Sequence, residues 1–143
     1  MPEASIVVRS FNEQKHIGNL LRSIRGQAFR DFEIILVDSG STDRTLDIAR
    51  PLCDKILNIR RADFTFGYSL NVGCRAAAGA KIVIVSAHTL PLHERWLGAI
   101  LAPFEDPEVA MVYGRHVGAP ETKYSERRDF ESLFADKRVK RKG

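Results

Sequence analysis

Four short apolar runs punctuate the chain. They are Ile6, Val7 and Val8; Ile34, Ile35, Leu36 and Val37; Ile82, Val83, Ile84 and Val85; and Val109, Ala110, Met111 and Val112. Within each run the apolar residues are consecutive rather than alternating with polar ones. A strand covered on both faces carries that signature, so the runs predict strands of a parallel sheet packed between helices. A further short strand is expected near residues 55–59. Between the runs the apolar spacing becomes helical. Ile17, Leu20, Leu21 and Ile24 form one stripe, with Asn12 ahead of it as N-cap. Leu46, Ala49 and Cys53 form a second, entered through Ser41, Thr42 and Asp43 and ended or kinked by Pro51. Leu70, Cys74, Ala77 and Ala78 form a third that stops at Gly79, and Leu97, Ile100, Leu101 and Phe104 a fourth closed by Asp106 and Pro107. Strand and helix alternate, so the expected fold class is α/β: a doubly wound, Rossmann-like, mostly parallel sheet flanked by helices.

Beyond Gly114 the pattern weakens. Phe130, Leu133 and Phe134 predict one more amphipathic helix, each side chain worth roughly 1.5–3 kcal/mol if buried. That stripe needs a cover: the sheet itself, a second copy in a homo-oligomer, or sequence outside the chain. The 143 residues suit a single core, and 44% hydrophobic with 28% charged residues is globular rather than disordered composition. No apolar run approaches the ~20 residues of a membrane span. The opening MPEASIVV lacks the basic-then-apolar layout of a secretory signal. Cys53 and Cys74 form no CxxC pair and read as packed thiols of a reduced, cytoplasmic protein. The net charge of +4 is uneven, because Lys137, Arg138, Lys140, Arg141 and Lys142 crowd the C-terminus. Such a run can touch nucleic acid or anionic lipid, but a solvated chain end is the plainer reading. Few aromatics accompany it, so a basic nucleic-acid-binding domain ranks last among the functions considered.

Ligands of open α/β sheets bind outside the carboxyl ends of the strands. Three loops meet that description: Arg9-Ser10-Phe11-Asn12-Glu13, Asp38-Ser39-Gly40-Ser41-Thr42-Asp43 and Ser86-Ala87-His88-Thr89-Leu90-Pro91. Each leaves an apolar run and leads toward a predicted helix, whose free N–H groups suit an anion. In the second loop Asp38 can accept from a base N–H or a ribose hydroxyl, and Gly40 permits a sharp turn. A merely capped turn explains that loop equally well. No GxGxxG follows the first run, which argues against a dinucleotide oxidoreductase, and the segment from Gly73 to Lys81 has the wrong spacing for a P-loop. Neither a nucleophile elbow nor zinc-type His/Cys spacing is present.

The stretch from Ser5 through Ser10-Phe11-Asn12-Glu13 to Val37-Asp38-Ser39-Gly40-Ser41-Thr42-Asp43, followed by Phe66-Gly67-Tyr68-Ser69-Leu70-Asn71-Val72-Gly73, closely resembles family 2 glycosyltransferases of the GT-A fold. The motifs agree in order and spacing over most of residues 4–114. The resemblance implies a GT-A sandwich, truncated relative to the full family fold. Residues 1–114 would form the nucleotide-sugar-binding part, and 115–143 the start of an acceptor-side region with the basic tail. It implies that Ser10, Asn12 and Glu13 line a nucleoside pocket, that Asp38 reads the base, and that Asn71 and Gly73 lie close to the ligand, with Ser39, Gly40, Ser86 and His88 also among the nucleotide-sugar-binding residues. Arg9 stands where the family commonly has proline and would face a phosphate or pair with an acid.

One departure bears on cofactors. The family usually carries Asp-x-Asp after the third run, holding Mg²⁺ or Mn²⁺ on the diphosphate, whereas this chain has Ser86-Ala87-His88. Hard cations prefer oxygen ligands, so such a site would be severely weakened, with His88 at most a ligand. Arg9, Arg75, Lys81 and His88 are the cationic alternatives, and for His88 ligand contact and a plain loop histidine weigh alike. His93 is expected at a helix start on the surface. No catalytic base is assigned, since Arg115, Glu121, Glu126, Asp129, Glu131 and Asp136 carry no distinguishing pattern. The implied function is sugar transfer from a nucleotide-diphosphate donor to an unidentified acceptor hydroxyl, in polysaccharide or cell-envelope glycan synthesis, on the cytoplasmic side of the membrane with peripheral contact. A non-catalytic nucleotide-binding module is the alternative.

Overall fold

The computed structural model describes residues 1–118 and 124–133. Its first compact unit, Met1–Ala102, holds four strands and four helices. In chain order these are β1 (Ala4–Ser10), α1 (Ile17–Arg25), β2 (Phe32–Asp38), α2 (Thr45–Ala49), β3 (Lys55–Asn58), α3 (Phe66–Ala76), β4 (Lys81–Ser86) and α4 (Trp96–Leu101). The strands form one parallel sheet in the order β3-β2-β1-β4. The chain steps outward from β1 to β3, then crosses back to β4 on the other side of β1. The strand order thus reverses between β1 and β4.

That reversal divides the packing. A right-handed crossover places helices on opposite faces when the stepping direction changes. Ile6, Val8, Ile34 and Leu36 point to one face and pack with Ile17, Leu20, Leu21 and Ile24 of α1 and Leu97 and Leu101 of α4. Val7 and Val37 point to the other, against Leu70 and Val72 of α3. β1 and β2 are buried on both faces, as their unbroken apolar runs predict. β4 differs from that expectation. Ile82 and Ile84 pair in register with Ser5 and Val7 on the α3 face, yet α3 packs over β1 and β2, and the two isoleucines stay 42% and 54% exposed.

A buried carboxylate ties the amino edge of the sheet together. Glu33 accepts from Ser5 Oγ at 2.6 Å and from the Ala78 N–H at 2.7 Å, and pairs with Lys55 at 2.9 Å. Burial pushes its pKa up, but the Ser5, Ala78 and Lys55 hydrogen bonds and the Lys55 charge outweigh burial and hold it at about 2. A depressed carboxylate stabilises the fold above its unfolded pKa, and that contribution disappears as pH falls through the folded value. Wild-type stability is therefore expected to drop between about pH 4.5 and about pH 2. Glu33→Gln should be less stable at neutral pH by about 1–3 kcal/mol and show a shallower acid slope in urea titrations across that window.

Several local expectations are corrected. Asn12 does not cap α1. The N-cap position is His16, without a side-chain hydrogen bond, because a turn closed by the His16 and Ile17 N–H groups on the Glu13 carbonyl intervenes. Cys53 lies beyond α2, where Pro51 turns the chain into a short 3-10 segment, Arg50–Leu52. Both Cys53 and Cys74 are free thiols, and burial pushes Cys53 up to about 12. α3 ends at Ala76, short of Ala77 and Ala78.

The second compact unit begins at Pro103. The run at 109–112 forms no strand: among the described residues no ladder partner accompanies it, and Met111 is exposed. The expected late helix is present as α5 (Tyr124–Leu133). Phe130 sits 5.8 Å from the His116 ring and Leu133 is exposed, while Phe134 and the basic tail lie outside the described residues. Among the described residues no helix is long and apolar enough to cross a membrane.

Candidate functional site

Parallel register brings the three sequence-predicted loops to one rim. Ser10 pairs with Asp38 across β1 and β2, and Arg9 pairs with Ser86 across β1 and β4. The loops after these strands therefore leave the sheet side by side.

The first two loops are laced to each other. The Asn12 N–H donates to Ser41 Oγ at 2.9 Å, and Asn12 Oδ1 accepts from the Thr42 N–H at 2.8 Å. The Glu13 N–H donates to Thr45 Oγ1 at 2.8 Å, the Gln14 N–H to Asp43 Oδ2 at 3.2 Å, and the Arg44 N–H to Gln14 Oε1 at 3.2 Å. Asn12 adopts φ 53°, a left-handed conformation that Asn tolerates better than most residues. In that conformation its backbone and side chain both face the second loop.

Asp38 sits beneath this lacing, fully buried. One carboxylate oxygen accepts from Ser10 Oγ and Ser41 Oγ, and the other from the Gly40 and Ser41 N–H groups. Gly40 turns the chain there with φ 86°. Both Asp38 oxygens are thus engaged inside the protein, and the carboxylate shapes the second loop. Asp43 fixes the start of α2, accepting from the Thr45 N–H at 2.9 Å.

The rim encloses an open pocket of about 160 Å³, lined by Arg9, Ser10, Phe11, Glu13, Ser39, Phe64, Phe66, Ser86 and His88. It sits where the strand order reverses, the usual ligand position in such sheets. Its size is below the ~300–1,000 Å³ of a complete small-molecule site. Arg9 stacks its guanidinium over Phe66 at 4.6 Å, and Phe66 meets Phe64 edge to face with centroids 5.4 Å apart. Arg61 covers the Phe11 ring at 4.7 Å. Arg9 Nε and Ser39 Oγ are buried without hydrogen-bond partners. Burial lowers the Arg9 pKa, and among the described residues no carboxylate pairs with it. His88 bridges the first and third loops, with Nδ1 3.4 Å from Glu13 Oε1 and Nε2 3.3 Å from Ser86 Oγ.

Of the residues singled out from sequence, Arg9, Ser10, Glu13, Ser39, Ser86 and His88 meet in this pocket. Asn12, Asp38 and Gly40 build the loops around it. Asn71 lies on the exposed side of α3 and does not line the pocket. Gly73 serves packing: a Cβ there would come within 2.4 Å of Val7 Cγ1. His93 is exposed just ahead of α4, as expected. The phenylalanines escaped the sequence reading as site residues. Phe66 opens the segment that ends at Gly73, and Thr65 beside it caps α3 by accepting from the Tyr68 N–H at 3.0 Å. Aromatic residues flanking a capped helix start beside a polar loop were the available signal.

Comparison with known proteins agrees with this fold. A family model described as glycosyl transferase family 2 matches residues 5–142. A PGL/p-HBAD biosynthesis glycosyltransferase of Mycobacterium tuberculosis is 31% identical over 118 residues, covering 79% of this chain and 46% of its own length. A mannosyltransferase from Pyrobaculum calidifontis, solved with GDP-Man and Mn²⁺, superposes with a TM-score of 0.67 at 26% identity, over 76% of this chain and 34% of that one. Staphylococcus aureus TarS 1–349 with UDP gives a TM-score of 0.61 at 26% identity, over 82% and 38% of the two chains. The chain spans 46% or less of the length of the curated relatives it matches.

Proposed function

The chain belongs to glycosyl transferase family 2, and on that premise we propose that it holds a nucleoside-diphosphate sugar at the strand-order reversal for transfer to an acceptor hydroxyl. The observation that carries this reading is the pocket itself: an unpaired guanidinium and three serine hydroxyls beside three phenylalanine rings. Such a surface suits a ligand that is anionic at one end and flat and apolar at the other. Phe11, Phe64 and Phe66 offer the base and ribose a wall, while Arg9, Ser39 and Ser86 face the phosphates. In the transfer the acceptor oxygen bonds to the anomeric carbon as the bond from that carbon to the diphosphate breaks. The electron pair leaves on the diphosphate, and the acceptor proton passes to a base. A cell-envelope glycan is the acceptor class we assign, supported by the mycobacterial relative, and cytoplasmic placement beside the membrane belongs to the same proposal.

Calorimetric titration with UDP, GDP and dTDP tests the reading. One of the three is expected to bind saturably at one site per chain, and a flat trace with all three contradicts it. A second reading, donor binding without transfer, is favoured by one observation: Glu13 is the sole carboxylate lining the described pocket, and it faces His88. That reading expects binding without release of free sugar from the matching nucleotide-sugar over a day.

A further inference from the structure

The pocket's donor atoms fit a divalent cation poorly. Mn²⁺ and Mg²⁺ are held by several oxygen ligands, carboxylates foremost. Among the described residues no group of three or more His, Cys, Asp or Glu is placed to hold a metal ion. Asp38 is buried with both oxygens engaged, which leaves the Glu13 carboxylate, the His88 imidazole and neutral hydroxyls. The mannosyltransferase that superposes on this chain holds Mn²⁺ with its GDP-sugar, so the residues here depart from the chemistry of that relative.

The same pocket is suited to an anion. Arg9 brings a full charge and a buried N–H that nothing else uses, and Ser39 brings a buried, unpartnered hydroxyl on the neighbouring loop. His88 and Ser86 face them from the end of β4. Of the cations named from sequence, two are elsewhere: Lys81 pairs with Glu3 at 2.6 Å at the start of β4, and Arg75 lies in the last turn of α3. In a parallel sheet both positions belong to the amino edge, opposite the pocket. Arg61 is at the rim, where it covers the Phe11 ring.

We propose that this chain binds the diphosphate of its donor without a divalent cation, using Arg9 and His88 with the Ser39 and Ser86 hydroxyls. The proposal rests on the donor reading above and specifies how its charge is met. Arg9 donates from its buried Nε and guanidinium edge, held in place by its stacking on Phe66. His88 closes the other side of the group from the third loop. Positive charge beside the leaving diphosphate is then built into the protein and needs no recruited ion.

The test is calorimetry on the full chain with UDP, GDP and dTDP, once in excess EDTA and once in excess Mn²⁺. The expected result is binding in EDTA that Mn²⁺ tightens by less than about threefold or weakens. Tightening by about threefold or more, or binding only with Mn²⁺, overturns the metal-free inference while leaving the donor reading in place. Absence of binding under both conditions removes the donor reading itself. Arg9→Met keeps the packing over Phe66 without the charge, and is expected to lower affinity in EDTA by about 10–100-fold, with no rescue by Mn²⁺. Arg9→Lys, which retains a charge, should lose less. If both variants melt like the wild type and bind as tightly, Arg9 has no part in the site and the proposal fails.

Discussion

Asp38→Ala is expected to lose roughly 3 kcal/mol of folding stability and all measurable affinity for UDP, GDP and dTDP. The carboxylate accepts from the Gly40 and Ser41 N–H groups and from the Ser10 and Ser41 hydroxyls. Removing it leaves the buried Ser10 hydroxyl and the half-buried Ser41 groups without their acceptor, and the second loop loses the anchor that holds Ser39 and Ser41 in place. Asn12, which depends on Ser41 and Thr42, loosens with it. Asp38→Asn separates structural from direct recognition. Its amide oxygen can still take the two backbone N–H groups, and the serine hydroxyls can rotate to accept from its NH₂. Asn should therefore lose about 1 kcal/mol and bind nucleotide within about threefold of wild type. If Asn instead abolishes binding while urea unfolding is unchanged, the carboxylate touches the ligand and its role in shaping the loop is secondary.

Gly79→Ala should be as damaging, for a reason at the opposite edge of the sheet. A Cβ at residue 79 would lie 2.5 Å from the Ala4 carbonyl carbon and 2.7 Å from the Ser5 nitrogen. Those atoms belong to β1 in the middle of the sheet and cannot move aside. The loop must retreat instead, which breaks the bond from the Gly79 N–H to Ser5 Oγ at 2.9 Å and disturbs the Glu33 cluster behind it. The expected cost is about 3 kcal/mol in urea unfolding, with an unchanged m-value. Gly67→Ala is the control. It lies in the first turn of α3 with nothing within 4 Å of the added Cβ, and should be neutral or stabilise by a few tenths of a kcal/mol. Equal effects of the two substitutions would show that close approach at residue 79 does not limit stability.

The sheet was legible because its central strands are buried on both faces. Burial on both sides forces the consecutive apolar residues seen in β1 and β2, and register then brings the loops to one rim. β4 carries the same run, Ile82 to Val85, yet only Val83 and Val85 are covered. A hydrophobic run records which residues avoid water in the full assembly and does not say which element covers them. The run at 109–112 carries the same apolar pattern, yet among the described residues it joins no strand ladder, because apolar composition alone does not make a strand. Within the site, the residues that line the pocket and those that build it look alike in sequence. Asn12 and Asp38 stand in the same loops as Ser10 and Ser39, and their difference lies in which way each side chain turns. Asn12 turns away because of its left-handed backbone, which no neighbouring glycine signals. The phenylalanines were missed because aromatic residues usually read as core, while Phe66 is 67% exposed beside Arg9.

The most direct test of the central claim is a nitrogen-15 NMR titration of the chain with the nucleoside diphosphate that binds in calorimetry. Amide shifts are expected to concentrate at residues 9–13, 39–41, 64–66 and 86–88, around the reversal of strand order. Perturbations gathered at the amino edge of the sheet, or on the exposed face of β4, would contradict it.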